Sequence, residues 1–330
     1  MITSQQIWLL LTSHQKLERD RGVETLQQMC DKAKDNTTEN FIKTVDQFGD
    51  STDGELLDSK KSSTVLKDLF QKFVEYPIFQ KEIAWETKIG IVLGCRILVE
   101  AVACCPSVPV HISTDVDSLL RSNCLNLLSD EEVRVRLAAA ELLGALAKVL
   151  GIAVYEDSKD RIMDLMKLHM ERDDINEPSI EPSGGPYTET VSISNTSEQI
   201  FHETAGWRNL ETSIKCLQYV IQGCGHSFLG SVDSNLLELI YTTTRHTNRF
   251  VRETGYRTLA SIIKLASCDQ SAAAKLSEAG DIETMETDKI EGYDVHSRLN
   301  PMIIIHGISL SKVLSEGLSD NWSQVSINTE

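Results

Sequence analysis

Cys216, Cys224 and His226 lie on one short stretch, with Gly223 and Gly225 between them. Thiolate and imidazole are ligands that zinc prefers, but a zinc site needs four of them in paired short spacings. Here one Cys-x-His pair stands without a second pair nearby, and the stretch reads as a glycine-terminated helix with an apolar-face cysteine. Cys104-Cys105 lacks the Cys-x-x-Cys spacing of redox dithiols and reads as packing. The densest basic cluster is Arg245, His246, Asn248, Arg249, Arg252 and Arg257. Guanidinium groups bind carboxylate and phosphate through charge-assisted hydrogen bonds, so the cluster is a candidate docking patch for an acidic or phosphorylated partner. The same residues also suit pairing with the chain's own turns and acidic segments. G-x-G-x-x-G, the P-loop, G-x-S-x-G and H-E-x-x-H are all missing from the sequence, and with them the spacings that bring phosphate, an activated serine or zinc into play. The eight histidines are isolated. No catalytic group, cofactor or metal is expected.

The elements around these residues are helices. Ser129-Asp130-Glu131-Glu132 reads as a capping box on Ser129 and Glu132, its acids favoured by the dipole of a helix start. Val133, Leu137, Ala140, Leu143 and Gly144 follow at helical spacing, and Ala and Gly in the stripe let neighbouring helices approach closely. A second phrase, His246 to Arg252 and onward through Val251, Leu259 and Ile262, has the same layout. A third opens at Gly317-Leu318-Ser319-Asp320-Asn321-Trp322-Ser323-Gln324-Val325. Trp85-Glu86-Thr87-Lys88-Ile89-Gly90 is another start of this kind, with Gly90 and Gly94 as close-packing positions. Val133, Leu137, Ala140, Leu143, Val251, Leu259 and Ile262 form the expected core.

These phrases resemble the second helix of HEAT repeats, the helical hairpins of α-solenoids. The resemblance implies an all-α fold, an α-solenoid of irregular HEAT-like hairpins interrupted by two acidic linkers. It also implies that Arg134 and Arg252, each following the first Val, join a polar ladder with the preceding turn. Because solenoids present extended binding surfaces, the implied function is a non-catalytic scaffold or adaptor for other proteins. The alternative is a karyopherin-like transport factor or a chaperone-like assembly factor.

Along the chain, residues 1–171 read as an N-terminal helical array with a polar loop at about 34–62 and a short helix near Phe41–Phe48. In the first helical pair, Ile7, Leu10 and Leu11 face Leu17, Val23, Leu26 and Met29. Residues 172–205 carry Pro178, Pro182 and Gly184-Gly185-Pro186 with few large apolar groups, a composition that cannot offset its ordering entropy, and read as a disordered linker. Residues 206–330 form a C-terminal array with an acidic loop at about 269–294. The last repeat reads as cut short, which predicts an uncovered apolar side on the helix from Pro301 and self-association through that end. Ile303, Ile304, Ile305, Ile308, Leu310, Val313 and Leu314 lie on that helix.

The formal net charge is −17, which disfavours nucleic acid and anionic membranes as partners. Most of that charge is local. Between Glu171 and Glu203 eight acids face one base, and between Asp269 and Asp294 eight face two. The rest of the chain is close to neutral. Eight cysteines without a regular spacing argue against a disulfide framework, no apolar run approaches the about 18–20 residues of a membrane span, and the N-terminus lacks a basic leader. The chain reads as cytosolic or nuclear, with one or more protein partners.

Overall fold

A computed structural model describes the backbone of residues 2–46, 53–78, 80, 82–104, 110, 112–174, 194–278 and 301–320. Side chains are described for these residues apart from 35–46, 53–62, 171–174, 194–205 and 268–278. Among the described residues the chain is all-α, with no strand. The helices are α1 (Ser4–Leu11), α2 (Lys16–Asp46), α3 (Asp53–Glu75), α4 (Trp85–Cys104), α5 (Thr114–Leu127), α6 (Val133–Leu150), α7 (Ala153–Asp174), α8 (Ser194–Cys224), α9 (Ser234–Thr244), α10 (Arg249–Glu278) and α11 (Pro301–Leu318). A short 3-10 helix, Gly225–Ser231, follows α8. The chain divides into two compact units. Unit 1 is Met1–Leu165 with Lys215–Cys224; unit 2 is Met166–Ile214 with Gly225–Glu330.

In unit 1 the first helices α1, α3 and α5 contact one another in sequence order, and so do the second helices α2, α4 and α6. Each pair thus stacks on the next, first helix on first and second on second. Unit 2 repeats the arrangement with α9 against α10, and α11 against both. Small residues set the spacing of the second helices. A Cβ on Gly144 would lie 2.8 Å from the Cβ and carbonyl oxygen of Tyr219 in α8, so α6 and α8 pack backbone to backbone there.

Several helices run further than the expected boundaries. Residues 34–46, read as part of a polar loop, are the last turns of α2; 53–62 belong to α3; 194–205 open α8; and 269–278 extend α10. Polar composition alone does not end a helix. Residues 34–46 contain neither Pro nor Gly, the residues that interrupt the intrahelical ladder or raise its entropic cost. Where Pro77 does occur, α3 ends at Glu75. The remainder of the expected linker, 175–193, and of the acidic loop, 279–300, lies outside the described residues, as does the chain after Asp320.

Five expected core positions are buried: Ala140, Leu143, Val251, Leu259 and Ile262. Val133 and Leu137 are only half-buried, while Val135 and Leu146 are fully covered. In α2, Leu17 is exposed and Arg19 is buried.

Candidate functional site

The starts of the second helices carry a repeated constellation. Arg19 donates from Nη1 to the carbonyls of Ser13 and His14 at 2.8 and 2.9 Å. Arg136 does the same to Asp130 and Glu131 at 2.8 and 3.1 Å. Arg252 donates to His246 and Thr247 at 3.1 and 2.9 Å. In each case the guanidinium reaches back over the turn to acceptors six and five residues earlier. The turn itself is fixed by a second shared contact. The N–H of Gln15 donates to Ser13 Oγ at 3.1 Å, that of Glu132 to Asp130 Oδ1 at 3.0 Å, and that of Asn248 to His246 Nδ1 at 2.9 Å. Different side chains thus serve as the same turn-forming acceptor, a role open to short polar groups. These contacts use backbone groups that an interhelical turn would otherwise leave without partners.

This geometry corrects the expected cap and the expected ladder. The N-cap of α6 is Glu132, whose carboxylate accepts the Arg134 N–H; Ser129 instead accepts from Arg161. The helix therefore begins three residues later than a Ser129 cap would place it. Arg134 is exposed, with its guanidinium 3.7 Å from the centre of the Trp85 ring and its Nε 2.7 Å from Glu132. Its hydrogen bond holds the Glu132 carboxyl below the usual range. The clamp is Arg136, so Val135 matches Val251 and Val133 matches Arg249. Arg252 takes the expected ladder role.

Neighbouring pairs are tied by charge at the same level. Lys88, the fourth residue of α4 as Arg136 is of α6, reaches the Asp130 carboxylate at 2.7 Å with both groups mostly buried. In unit 2, Arg252 holds Asp320 through Nε at 2.6 Å and Nη2 at 3.2 Å. An acid in one turn is thus bound by a cation from the second helix of the preceding pair.

The six residues of the candidate docking patch are therefore largely engaged within the chain. Arg252 is the clamp, His246 shapes the turn, and Asn248 caps α10 by accepting the Phe250 N–H at 2.9 Å. Arg245 pairs with Glu316 and Arg257 with Glu253. Arg249 lies 4.8 Å from the centre of the Phe250 ring, which stacks on Trp207. Cys216 is fully buried and the Cys224 thiol points to the Gly151 carbonyl at 3.6 Å. Burial pushes the Cys216 thiol up to about 12 and the Cys224 thiol up to about 11. Cys104, read as packing, is exposed at the end of α4; Cys105 lies outside the described residues. Among the described residues no group of three or more His, Cys, Asp or Glu is placed to hold a metal ion.

The second helices of unit 1 also frame a groove of about 530 Å³, reached by Gln27 and Lys34 from α2, Arg96 and Glu100 from α4, Glu141 and Lys148 from α6, and Tyr219 from α8. Sequence reading missed it, because it draws on four helices that are distant along the chain.

The hairpin that carries Asp130 and Arg136 is the part of the chain that a family comparison matches. Residues 120–150 match the HEAT repeat family model. The matched segment is the end of α5, the clamped turn and α6. Together with the stacked helical pairs, this bears out the resemblance to HEAT/armadillo-type repeat proteins. Comparison with curated proteins gives no match. Among the described residues no helix is long and apolar enough to cross a membrane. HEAT repeats act in general as protein-interaction units, through the extended surface that stacked repeats provide.

Proposed function

We propose that this chain is a non-catalytic scaffold or adaptor that binds other proteins along its HEAT-like repeats. The observation that carries the reading is the division of labour among its polar residues. The basic groups at the helix starts are consumed in holding turns and tying repeats together, whereas the polar residues further along α2, α4, α6 and α8 line a surface groove. The Arg245–Arg257 cluster belongs to the same proposal as a secondary contact region, through Arg249 and Arg257, whose side chains remain partly exposed. A second copy of the chain is a further partner we propose, through the exposed Ile304, Ile305 and Ile308 of α11, since exposed apolar patches favour association. Sedimentation of the wild type against Ile308→Asp tests that point, and equal monomer content in both removes it.

Affinity purification of the tagged full chain, with cross-linking and mass spectrometry, tests the main reading. A stoichiometric protein complex with cross-links on the helical repeats is expected. Recovery of the chain without any stable partner across salt conditions overturns it, and binding that switches with the nucleotide state of a GTPase moves the assignment to a transport factor.

A further inference from the structure

Ser129 stands in the turn between α5 and α6, outside both helices, and is followed by Asp130, Glu131 and Glu132. From this turn we infer a modification site: Ser129 is phosphorylated by an acid-directed serine/threonine kinase, and the Arg161 guanidinium of α7 holds the phosphate. The inference goes beyond the scaffold reading and does not rest on it. In the reaction Ser129 Oγ attacks the γ-phosphorus of ATP. The Oγ–P bond forms as the bond from that phosphorus to the β,γ-bridging oxygen breaks. ADP leaves with the bonding pair, and the hydroxyl proton passes to the base of the kinase.

The turn geometry leaves this hydroxyl available. A serine that caps a helix spends its oxygen on a backbone N–H. Here Glu132 caps α6 instead, and Ser129 is exposed. Arg161 Nη2 donates to Ser129 Oγ at 3.3 Å. Arg161 is itself exposed and forms no ion pair among the described residues. A guanidinium set on a neutral hydroxyl is one half of an arginine–phosphate pair. The acids after Ser129 divide their tasks. Asp130 is tied to Lys88, whereas Glu131 is exposed and Glu132 is partly exposed beside Arg134. Acids two and three residues past the hydroxyl thus stay at the surface, where a basic substrate cleft can select them.

The matching places in unit 2 sharpen the reading. Arg245 precedes the turn acceptor His246 as Ser129 precedes Asp130, and it pairs with Glu316 of the next first helix, α11. A phosphate on Ser129 would make the same link to α7 with the charges exchanged. Ser319 precedes Asp320, but it is followed by that single acid, then Asn321 and Trp322. Its hydroxyl donates to the Ser315 carbonyl at 3.5 Å. Along α7, Asp157, Asp160 and Asp164 flank Arg161; Arg121 takes Asp157. Those carboxylates oppose a phosphate from further off, so the part played by Arg161 is read as a difference between variants.

The test is incubation of the folded full chain with casein kinase 2, an acid-directed kinase, and ATP, with the phosphorylated positions mapped by mass spectrometry. Phosphate on Ser129 is expected, with less on Ser319. Ser129→Ala should lose that phosphate alone, with helical content unchanged by circular dichroism. Glu131→Lys, which keeps its backbone carbonyl in the turn, should slow modification of Ser129 about fivefold or more. Phosphorus NMR of the modified chain should show a phosphate titrating near about pH 6. Arg161→Gln should move that midpoint upward, because a neighbouring cation favours the dianion. The inference is overturned if phosphate is confined to other positions, if Glu131→Lys is modified as fast as the wild type, or if Arg161→Gln leaves the midpoint where it was. Any of these results leaves the scaffold reading standing.

Discussion

The turns before α6 and α10 reach the same geometry from different residues. Before α6 the turn is Asp130-Glu131-Glu132 and the first helical residue is Val133; before α10 it is His246-Thr247-Asn248 and the first helical residue is Arg249. In both, a polar side chain accepts the N–H two residues on, and an arginine at the fourth helical position returns to two turn carbonyls. The difference lies in what holds the acid. At α6 the acid is held from the neighbouring pair, because Lys88 binds Asp130 while Arg136 clamps the turn. At α10 one arginine does both, clamping its own turn and binding Asp320. What is preserved is the set of acceptors and the place of the cation, while the residue that supplies each part varies.

Truncation separates the two designs. Arg252→Ala should cost about 3 kcal/mol, since it removes the ion pair to a mostly buried Asp320 as well as the bonds to two carbonyls. Arg136→Ala should cost about 1–3 kcal/mol, the scale of losing its turn hydrogen bonds. Urea unfolding of both variants measures the gap. A double-mutant cycle on Lys88 and Asp130 should return a favourable coupling between the two neighbouring pairs. An Arg252→Ala cost no larger than that of Arg136→Ala would remove the expected difference between the two designs.

The apolar stripes should behave alike where the turns differ. Leu143 and Leu259 occupy matching places after the clamp and both are fully buried, so Leu→Ala at either should cost about 2–5 kcal/mol. A loss below about 0.5 kcal/mol at one of them, the range of ordinary surface substitutions, would break the correspondence of α6 with α10. Arg134→Ala is the contrast within α6. Its guanidinium is exposed, so loss of the Trp85 contact should change stability little. Near-ultraviolet circular dichroism of Trp85 should change while the unfolding midpoint barely moves.

The smallest expected effect is a pH dependence on the alkaline side. Burial pushes the Cys30 and Cys216 thiols up to about 12 and Cys224 up to about 11, whereas an unfolded thiol titrates near about 8.5. With the folded value raised, the stabilisation is fully present below about pH 8.5 and is lost as pH rises toward the folded values. The unfolding midpoint should be flat from about pH 7 to 8 and decline above about pH 9. Cys216→Ala should shallow the decline. Cys104, being exposed, should react with a thiol reagent in the native state, and Cys104→Ser should remove one fast-reacting equivalent.

Much of the fold was legible because helical hairpins write themselves locally. Apolar spacing located α4, α6 and α10, Pro77 marked the end of α3, and the Ala and Gly positions marked where helices meet. Helix lengths were less legible, since a polar stretch without Pro or Gly, such as residues 34–46, continues a helix as readily as it ends one. The clamp could have been found from an arginine placed six residues after a short polar acceptor, a spacing common to Ser13–Arg19 and His246–Arg252. The α6 start obscured it because Val133-Arg134-Val135-Arg136 offers two registers two residues apart.

By itself the sequence determined that the chain is helical, that its helices pair, and that small residues bring them close. These follow from periodicity and backbone sterics within one helix or one turn. The tertiary structure alone decided that Arg136 rather than Arg134 is the clamp, because only the folded turn presents two carbonyls at the right distance. It alone paired Lys88 with Asp130 and Arg252 with Asp320, and gathered Lys34, Arg96, Glu141, Lys148 and Tyr219 around one groove. Such contacts join groups far apart along the chain, and their partners are chosen by how one repeat stacks on the next.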